Sequence, residues 1–145
     1  MKRLLLLAAT FLSLLLPLAH VAQADDFKSM EGKWKVDSAE VNGKIVDAPE
    51  LKDIQITISG DRYEALIKDH IDRGSLKLDE TQKPRTMDAT KTEGDEVGKM
   101  IKAIYEINGD TMRVCYAMTG DARPTEFATK PDSALLLITY RREKE

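Results

Sequence analysis

The sequence predicts an all-β protein that folds as a closed, eight-stranded antiparallel barrel. Three observations support this prediction. Short runs in which apolar and polar residues alternate recur along the chain, separated by glycine, asparagine, aspartate and proline. No stretch of eleven or more residues shows the spacing of three and four that marks an amphipathic helix. Eight runs alternate in this way, and eight strands close a small barrel that holds side chains or one small ligand.

The alternation defines the predicted elements in chain order. Helical turns are expected only at residues 25–30 and 48–52. Two connections, residues 91–99 and 119–133, are long for a compact β domain, and long ordered loops are often functional. The predicted strands span residues 33–41, 53–59, 62–68, 71–78, 86–90, 100–107, 111–118 and 134–142.

The first four strands differ in how regular they are. The first strand keeps both Trp34 and Ala39 on its inner face only if a β-bulge lies between them, near residues 37–38. The second strand is the most regular, with three isoleucines on one face and polar residues on the other. The third strand places Tyr63 inward. Gly74 in the fourth strand indicates a bulge or a close approach between strands.

The last four strands contain the strongest turn signal in the chain. The fifth strand is the weakest and is expected to direct Met87 and Ala89 inward. The sixth strand alternates throughout and places Tyr105 on its inner face. Asn108-Gly109 predicts a hairpin between the sixth and seventh strands, because both residue types tolerate a positive φ. The eighth strand follows the longer of the two loops.

Residues 1–24 have the layout of a secretory signal peptide. A basic start at Lys2-Arg3 precedes an apolar run, and a small-residue end closes at Ala24. The apolar run is shorter than the roughly 20 residues of a membrane-spanning helix, which disfavours a retained anchor. We therefore expect cleavage near Ala24, a single barrel domain over residues 25–145, and an exported protein that is periplasmic or secreted.

Charge and composition exclude several classes of partner. The chain has 22 basic and 25 acidic residues, and loss of Lys2 and Arg3 with the leader lowers its charge from −3 to −5. A mildly acidic chain with no basic run longer than Arg141-Arg142 argues against nucleic acid and against anionic membrane surfaces. We expect no membrane span in the mature chain, and a monomer.

The residues that carry most enzyme chemistry are scarce. His70 is the only histidine after the leader and Cys115 is the only cysteine. A histidine-based triad would need His70, which lies in a polar turn, and a zinc site of three or four nitrogen and sulfur ligands cannot be assembled. We therefore predict no catalytic residue, no metal site, no cofactor and no enzyme activity. Cys115 is interpreted as a buried apolar residue, with a reactive thiol as the alternative.

A Gly-x-Trp motif at the start of the first strand resembles the signature of the calycins and lipocalins. Gly32 and Trp34 match its first part. Arg141 or Arg142 matches the basic residue that packs across the tryptophan ring in that family, and we prefer Arg142, which alternates with Ile138 and Tyr140. The resemblance implies an up-and-down barrel with few or no helices. It implies a structural role for Gly32, Trp34 and Arg142, with the tryptophan closing one end.

Longer segments carry a wider resemblance. The segments EGKWKVDSAEVNGK, KPRTMDATKTEG, IYEINGDTMRVCYA and RPTEFATKPDSALLLITYRR occur in this order. Together they are similar to a lipocalin-like extracytoplasmic domain of planctomycete-type bacteria whose function is unassigned. The similarity covers about residues 29–144. It implies the fold and no activity, because fold analogy does not transfer function.

The best candidates for a binding site are aromatic residues on inner faces. Tyr63, Tyr105 and Tyr116 suit a small-molecule pocket, because tyrosine offers apolar area and one hydrogen bond. Arg123 and Phe127 lie in the longer loop, which we expect to act as a lid. The leading hypothesis is a binding module for a small apolar or amphipathic ligand. If the tyrosines instead fill a solid core, the protein is a cell-envelope domain that binds another protein.

The longer loop also contains a carboxylate with two interpretations. Glu126 lies beside Phe127 and near Arg123. A buried Glu126 with a raised pKa would be a candidate acid. We prefer an ion pair between Arg123 and Glu126 that fastens the loop.

Overall fold

A computed structural model describes residues 25–120 and 122–145, so the predicted leader, residues 1–24, lies outside the described residues. The described chain forms two short helices and nine strands. These elements are α1 (Asp26–Met30), β1 (Gly32–Val41), β2 (Lys44–Ile45), α2 (Ala48–Leu51), β3 (Ile54–Ser59), β4 (Arg62–Ile67), β5 (His70–Asp79), β6 (Arg85–Glu93), β7 (Met100–Asn108), β8 (Thr111–Ala117) and β9 (Leu135–Arg142).

Eight of these strands form one closed antiparallel barrel. From β3 onward each strand pairs with the next in sequence, and β1 pairs with both β3 and β9, which closes the sheet. Strand β2 has two residues and pairs only with the end of β1. The predicted eight-stranded up-and-down barrel is therefore confirmed, and its strands are β1 and β3–β9.

Local details follow the sequence closely, with three differences. The register of β1 against β9 shifts between Val36 and Ser38, which confirms the predicted bulge. Strand β6 continues to Glu93, so the connection predicted from residue 91 begins at residue 94. The β7–β8 hairpin forms as predicted, but its two loop residues are 109–110, because Asn108 pairs with Thr111. Strand β2 was not predicted.

The two ends of the barrel are closed to different degrees. Helix α1 lies at the end where β1 begins, and α2 contacts β1 at the opposite end. Asp25 is the N-cap of α1, where its carboxylate accepts a hydrogen bond from the amide of Lys28 at 3.4 Å. The side chain of Met30, the last residue of α1, is fully buried in the core. We call the α1 end the closed end and the α2 end the open end.

Trp34 fills the closed end. Its side chain is fully buried, and its indole Nε1 donates to the carbonyl of Met30 at 2.8 Å. The guanidinium carbon of Arg142 lies 4.2 Å from the centre of a Trp34 ring, within the range of a cation–π interaction. Gly32 has a φ of +118°, which a side chain would strain, and a Cβ there would lie 3.4 Å from Arg142 Nη1.

Arg142 also fixes the helix against the barrel. It donates to the carbonyls of Glu31 and Ser29, the latter at 2.6 Å, and its Nε lies 3.2 Å from an Asp110 carboxylate oxygen. The last carbonyls of a helix have no partner within the helix, so a guanidinium placed there satisfies them. One side chain thus joins α1, β1 and β9.

A buried carboxylate attaches the start of α1 to two more strands. Asp26 is 3 % exposed and accepts hydrogen bonds from Arg85 Nη1 on β6 and from the Tyr105 hydroxyl on β7, both at 2.7 Å. A buried charge is tolerated when it is paired and hydrogen-bonded, as here. Burial, followed by the neighbouring Asp26, raises the pKa of Tyr105.

The long loop between β8 and β9 covers the outside of the barrel. Ile104 and Cys115 face outward on β7 and β8, yet both are almost completely buried. The Cys115 Sγ lies 3.8 Å from the carbonyl of Ala128 in this loop. The predicted burial of Cys115 is confirmed, and its burial raises the pKa of the thiol. Within the described ranges, no helix is long and apolar enough to cross a membrane.

The plug at the closed end gives the first testable expectation. Trp34→Ala removes a fully buried side chain and leaves a void beneath α1. It should lower the free energy of unfolding by about 3–5 kcal/mol, measured by urea denaturation. Lys35→Ala on the exposed face of the same strand is the control and should change it by less than about 0.5 kcal/mol. Equal midpoints for the Trp34 variant and wild type would show that the indole is not a structural plug.

Candidate functional site

An apolar cavity of about 350 Å³ occupies the inside of the barrel toward the open end. Residues from all eight barrel strands and from α2 contribute to its wall. Most wall residues are aliphatic. The aliphatic and alanine side chains are those of Val36, Ala39, Val46, Leu51, Ile54, Ile56, Ile58, Ala65, Ile67, Leu76, Ala89, Ile101, Val114, Leu136 and Ile138, joined by Met87, Met112 and Met118.

Large side chains fill the closed end, whereas small ones interrupt the wall toward the open end. Trp34, Met30 and Tyr105 are fully buried at the closed end beside α1. Toward the open end the inner face includes Ala65 and Ala89, whose single methyl groups cannot reach across the barrel. Native cores fill their space to crystal-like density, so an unfilled apolar volume of this size is a distinctive feature.

Three tyrosines place hydroxyl groups in this apolar wall. Tyr63, Tyr116 and Tyr140 all line the cavity. The hydroxyl oxygens of Tyr116 and Tyr140 lie 2.9 Å apart, so one of them donates a hydrogen bond to the other. We call these two groups the hydroxyl pair.

Gly74 provides the space in which the Tyr63 ring lies. The two residues are direct partners across β4 and β5. A Cβ at position 74 would lie 2.5 Å from Tyr63 Cε1 and 2.3 Å from the carbonyl oxygen of Thr90, so no side chain fits. The predicted close approach at Gly74 is confirmed, and the glycine allows the ring to lie against the sheet.

Burial keeps the cavity hydroxyls protonated. It raises the pKa of Tyr140 to about 12 and the pKa of Tyr116 well above its ordinary value. The pKa of Tyr63 is also raised, mainly by burial and then by the nearby Asp72. Desolvation disfavours the charged phenolate, so these groups are neutral donors and acceptors at ordinary pH.

A small ionic cluster lies near the mouth of the cavity. Lys91 is 9 % exposed, and its Nζ lies 3.3 Å from an Asp72 carboxylate oxygen. The other oxygen of Asp72 lies 3.2 Å from His70 Nε2. Lys99 Nζ pairs with Glu96 at 3.2 Å in the connection between β6 and β7. Both lysines that line the cavity are therefore already paired with carboxylates.

The outer rim of the open end is apolar. The described residues include seven large hydrophobic side chains that are exposed, and all of them lie at strand ends or connections of this end. Ile45, for example, is 80 % exposed on β2. Exposed apolar residues gathered in one region mark a functional surface more often than scattered ones. The seven are Val41, Ile45, Ile67, Ile71, Val97, Met100 and Met118.

The structure brings together only some of the residues expected to form the pocket. Tyr63 and Tyr116 line the cavity, as the inner-face pattern suggests. Tyr105 points inward too, but it lies at the closed end, where its hydroxyl contacts Asp26. Arg123 and Phe127 do not line the cavity. The three signature residues Gly32, Trp34 and Arg142 meet at the closed end.

Arg123 and Phe127 hold the long loop to the outer surface. Arg123 Nη1 donates to the carbonyls of Met87 at 2.9 Å and Ala103 at 2.8 Å, while Nη2 contacts Asp88 at 2.5 Å. The guanidinium carbon of Arg113 lies 4.7 Å from the centre of the Phe127 ring. The described residues of the loop, 119–120 and 122–133, therefore pack on the side of the barrel, and none of them lines the cavity, so they do not form the expected lid.

The expected Arg123–Glu126 pair is also absent from the described structure. Arg123 pairs with Asp88, and Glu126 lies 3.7 Å from Lys130 instead. Arg123 extends away from its own loop because three acceptors at the β6–β7 surface satisfy more of its donors than one carboxylate would.

Sequence reasoning missed most polar residues of the cavity wall, among them Tyr140, Lys91 and Asp72. Tyr140 carried a usable signal, since it has the parity of the inward-facing Ile138. Asp72 alternates with the inward-facing Leu76, but its charge is typical of a solvent-facing position, and Lys91 lies beyond the predicted fifth strand. The described residues contain no group of three or more histidine, cysteine or acidic side chains arranged to hold a metal ion.

In comparisons with protein-family models, curated proteins and solved structures, none matches this chain.

The buried hydroxyl pair predicts a specific loss of stability in alkali. Because folding raises the pKa of Tyr140 from 10.0 to about 12, the folded state retains protons that the unfolded state loses in this range. The contribution is fully present below pH 10 and is lost as pH rises through 12. A shift of this size corresponds to about 3 kcal/mol of stability over the whole range.

The measurement compares urea midpoints at pH 9 and pH 11.5 in wild type and in Tyr116→Phe/Tyr140→Phe. Wild type should lose more stability between the two pH values than the double variant does, since the variant has no buried phenol to titrate at these positions. The same pH dependence in both proteins would show that the pair is not held in its neutral form by burial.

Proposed function

We propose that this protein is a binding module that holds one small, mainly apolar molecule inside its barrel. The single observation that carries the proposal is the 350 Å³ cavity at the open end. Ligand sites in proteins are concave, largely apolar and about 300–1,000 Å³ in volume, with a few well-placed polar groups. The cavity lies at the lower end of this range, which favours a compact ligand.

The distribution of exposed apolar residues supports entry at the open end. The seven exposed hydrophobic side chains noted among the described residues surround the mouth. An apolar ligand that approaches this rim loses contact with water before it reaches the cavity, so each step of entry buries apolar surface. The closed end offers no comparable route, because Trp34 and α1 fill it.

The cavity also favours ligand binding over the second hypothesis. A cell-envelope domain that works only through its outer surface is expected to have a filled core, since an empty volume costs stability. Retention of an unfilled apolar volume is easier to explain if a ligand fills it during function. Export from the cytoplasm, as the layout of residues 1–24 indicates, and membership of a lipocalin-like family are parts of the same proposal.

Filling the cavity should abolish binding without unfolding the protein. Ala65 faces the cavity, whereas Leu66 lies on the opposite face of the same strand, in an outer groove. Ala65→Phe should weaken binding of the apolar fluorophore N-phenyl-1-naphthylamine about tenfold or more, because the new ring occupies its space. Leu66→Phe adds an aromatic ring outside the barrel and should leave the affinity unchanged.

Fluorescence titration measures both affinities, and thermal denaturation checks that each variant is folded. Native mass spectrometry of protein purified from its own host adds an independent test, in which one small molecule per chain is expected. The proposal is wrong if wild type gives no saturable binding of the fluorophore, or if a folded Ala65→Phe variant binds it as tightly as wild type.

A further inference from the structure

The hydroxyl pair leaves one hydrogen-bond donor for whatever occupies the cavity. Two phenol groups carry two protons, and only one proton can lie between the oxygens of Tyr116 and Tyr140, which are 2.9 Å apart. Whichever hydroxyl donates, the other keeps a proton of its own. In the described part of the chain neither hydroxyl has a further hydrogen-bond partner. Both residues line the cavity.

Among the described residues, no further acceptor lies within hydrogen-bond distance of the pair. Val114 and Ile138 are aliphatic neighbours in the wall, and the third hydroxyl, that of Tyr63, makes no hydrogen bond to the pair. A donor without an acceptor in apolar surroundings is unfavourable, and an acceptor brought by a ligand removes that cost. The geometry therefore favours a ligand whose acceptor oxygen lies next to the hydroxyl pair.

The charges of the wall indicate that this oxygen is neutral. A buried anion needs a free cation, but Lys91 is paired with Asp72 and Lys99 is paired with Glu96. The same desolvation that raises the pKa of Tyr140 would oppose a carboxylate placed beside it. A ketone, ester or ether oxygen accepts a hydrogen bond without bringing a charge into the barrel.

We propose that the Tyr116–Tyr140 hydroxyl pair donates a hydrogen bond to the ligand, and that the barrel selects compact aliphatic molecules that carry one neutral acceptor oxygen. This inference rests on the proposed binding function and narrows it to a ligand class. It also assigns a recognition role to Tyr140, a residue that the sequence pattern placed on the inner face without a function.

The test compares two molecules of nearly the same shape, 2-octanone and 2-methyl-1-octene, which differ by an oxygen in place of a methylene group. Each is used to displace N-phenyl-1-naphthylamine, which has no oxygen acceptor and reports on the cavity alone. Tyr116→Phe/Tyr140→Phe should weaken the affinity for the ketone about fivefold and change that for the alkene less than about twofold. In wild type, octanoate should bind more weakly than the ketone.

Tyr105→Phe is the matched control, because its hydroxyl lies outside the cavity, on Asp26. It should change neither affinity. Tyr63→Phe tests whether the Tyr63 hydroxyl, and not the hydroxyl pair, binds the ketone oxygen. The proposal is overturned if this variant loses the preference for the ketone and the double variant keeps it. It is also overturned if the double variant weakens both ligands equally, or if octanoate binds more tightly than the ketone.

A spectroscopic measurement covers the case in which the double variant does not fold. The infrared carbonyl stretch of 2-octanone bound to wild type should move to lower frequency than in a hydrocarbon solvent, because a hydrogen bond weakens the carbonyl bond. An unshifted band would overturn the inference while leaving the cavity as a binding site. Failure of the fluorophore to bind wild type at all would instead count against the proposed function itself.

Discussion

The contact between Arg142 and Trp34 is the interaction on which the rest of the structure depends. It joins the last strand to the first at the seam where the barrel closes, with the guanidinium 4.2 Å from the ring, and the same guanidinium satisfies carbonyls at the end of α1. Helix α1, the Trp34 side chain and the β1–β9 pairing therefore form one structural unit. This unit closes one end of the barrel with the only tryptophan of the chain.

The interior toward the open end is not filled by side chains. The wall toward the open end consists mainly of aliphatic side chains and alanines, and two pairs stand out among its polar groups. Lys91 and Asp72 neutralise one another near the mouth, whereas Tyr116 and Tyr140 satisfy each other only in part. The ion pair is therefore not free to bind a ligand, whereas the hydroxyl pair still has one donor with which a ligand can form a hydrogen bond.

Most of the fold was predictable from the sequence because its signals are local. The alternation of Ile54, Ile56 and Ile58 fixes an inner face, and the phase change after Val36 requires a bulge. The Tyr116–Tyr140 contact was not predictable. Tyr116 pairs with Leu136 and Tyr140 with Met112, so the two hydroxyls meet only because both long side chains reach into the barrel from different levels. The position of the long loop was missed as well, although Ile104 and Cys115 are apolar residues on the outer face of β7 and β8, which indicates that part of this face is covered.

A crystal structure of the protein soaked with 2-octanone would test the central proposal most directly. We expect one ketone molecule inside the barrel, with its chain among the aliphatic residues of the open end and its oxygen within hydrogen-bond distance of Tyr116 or Tyr140. An interior already filled by side chains, or ketone density found only on the outer surface, would contradict both the binding function and the role given to the hydroxyl pair.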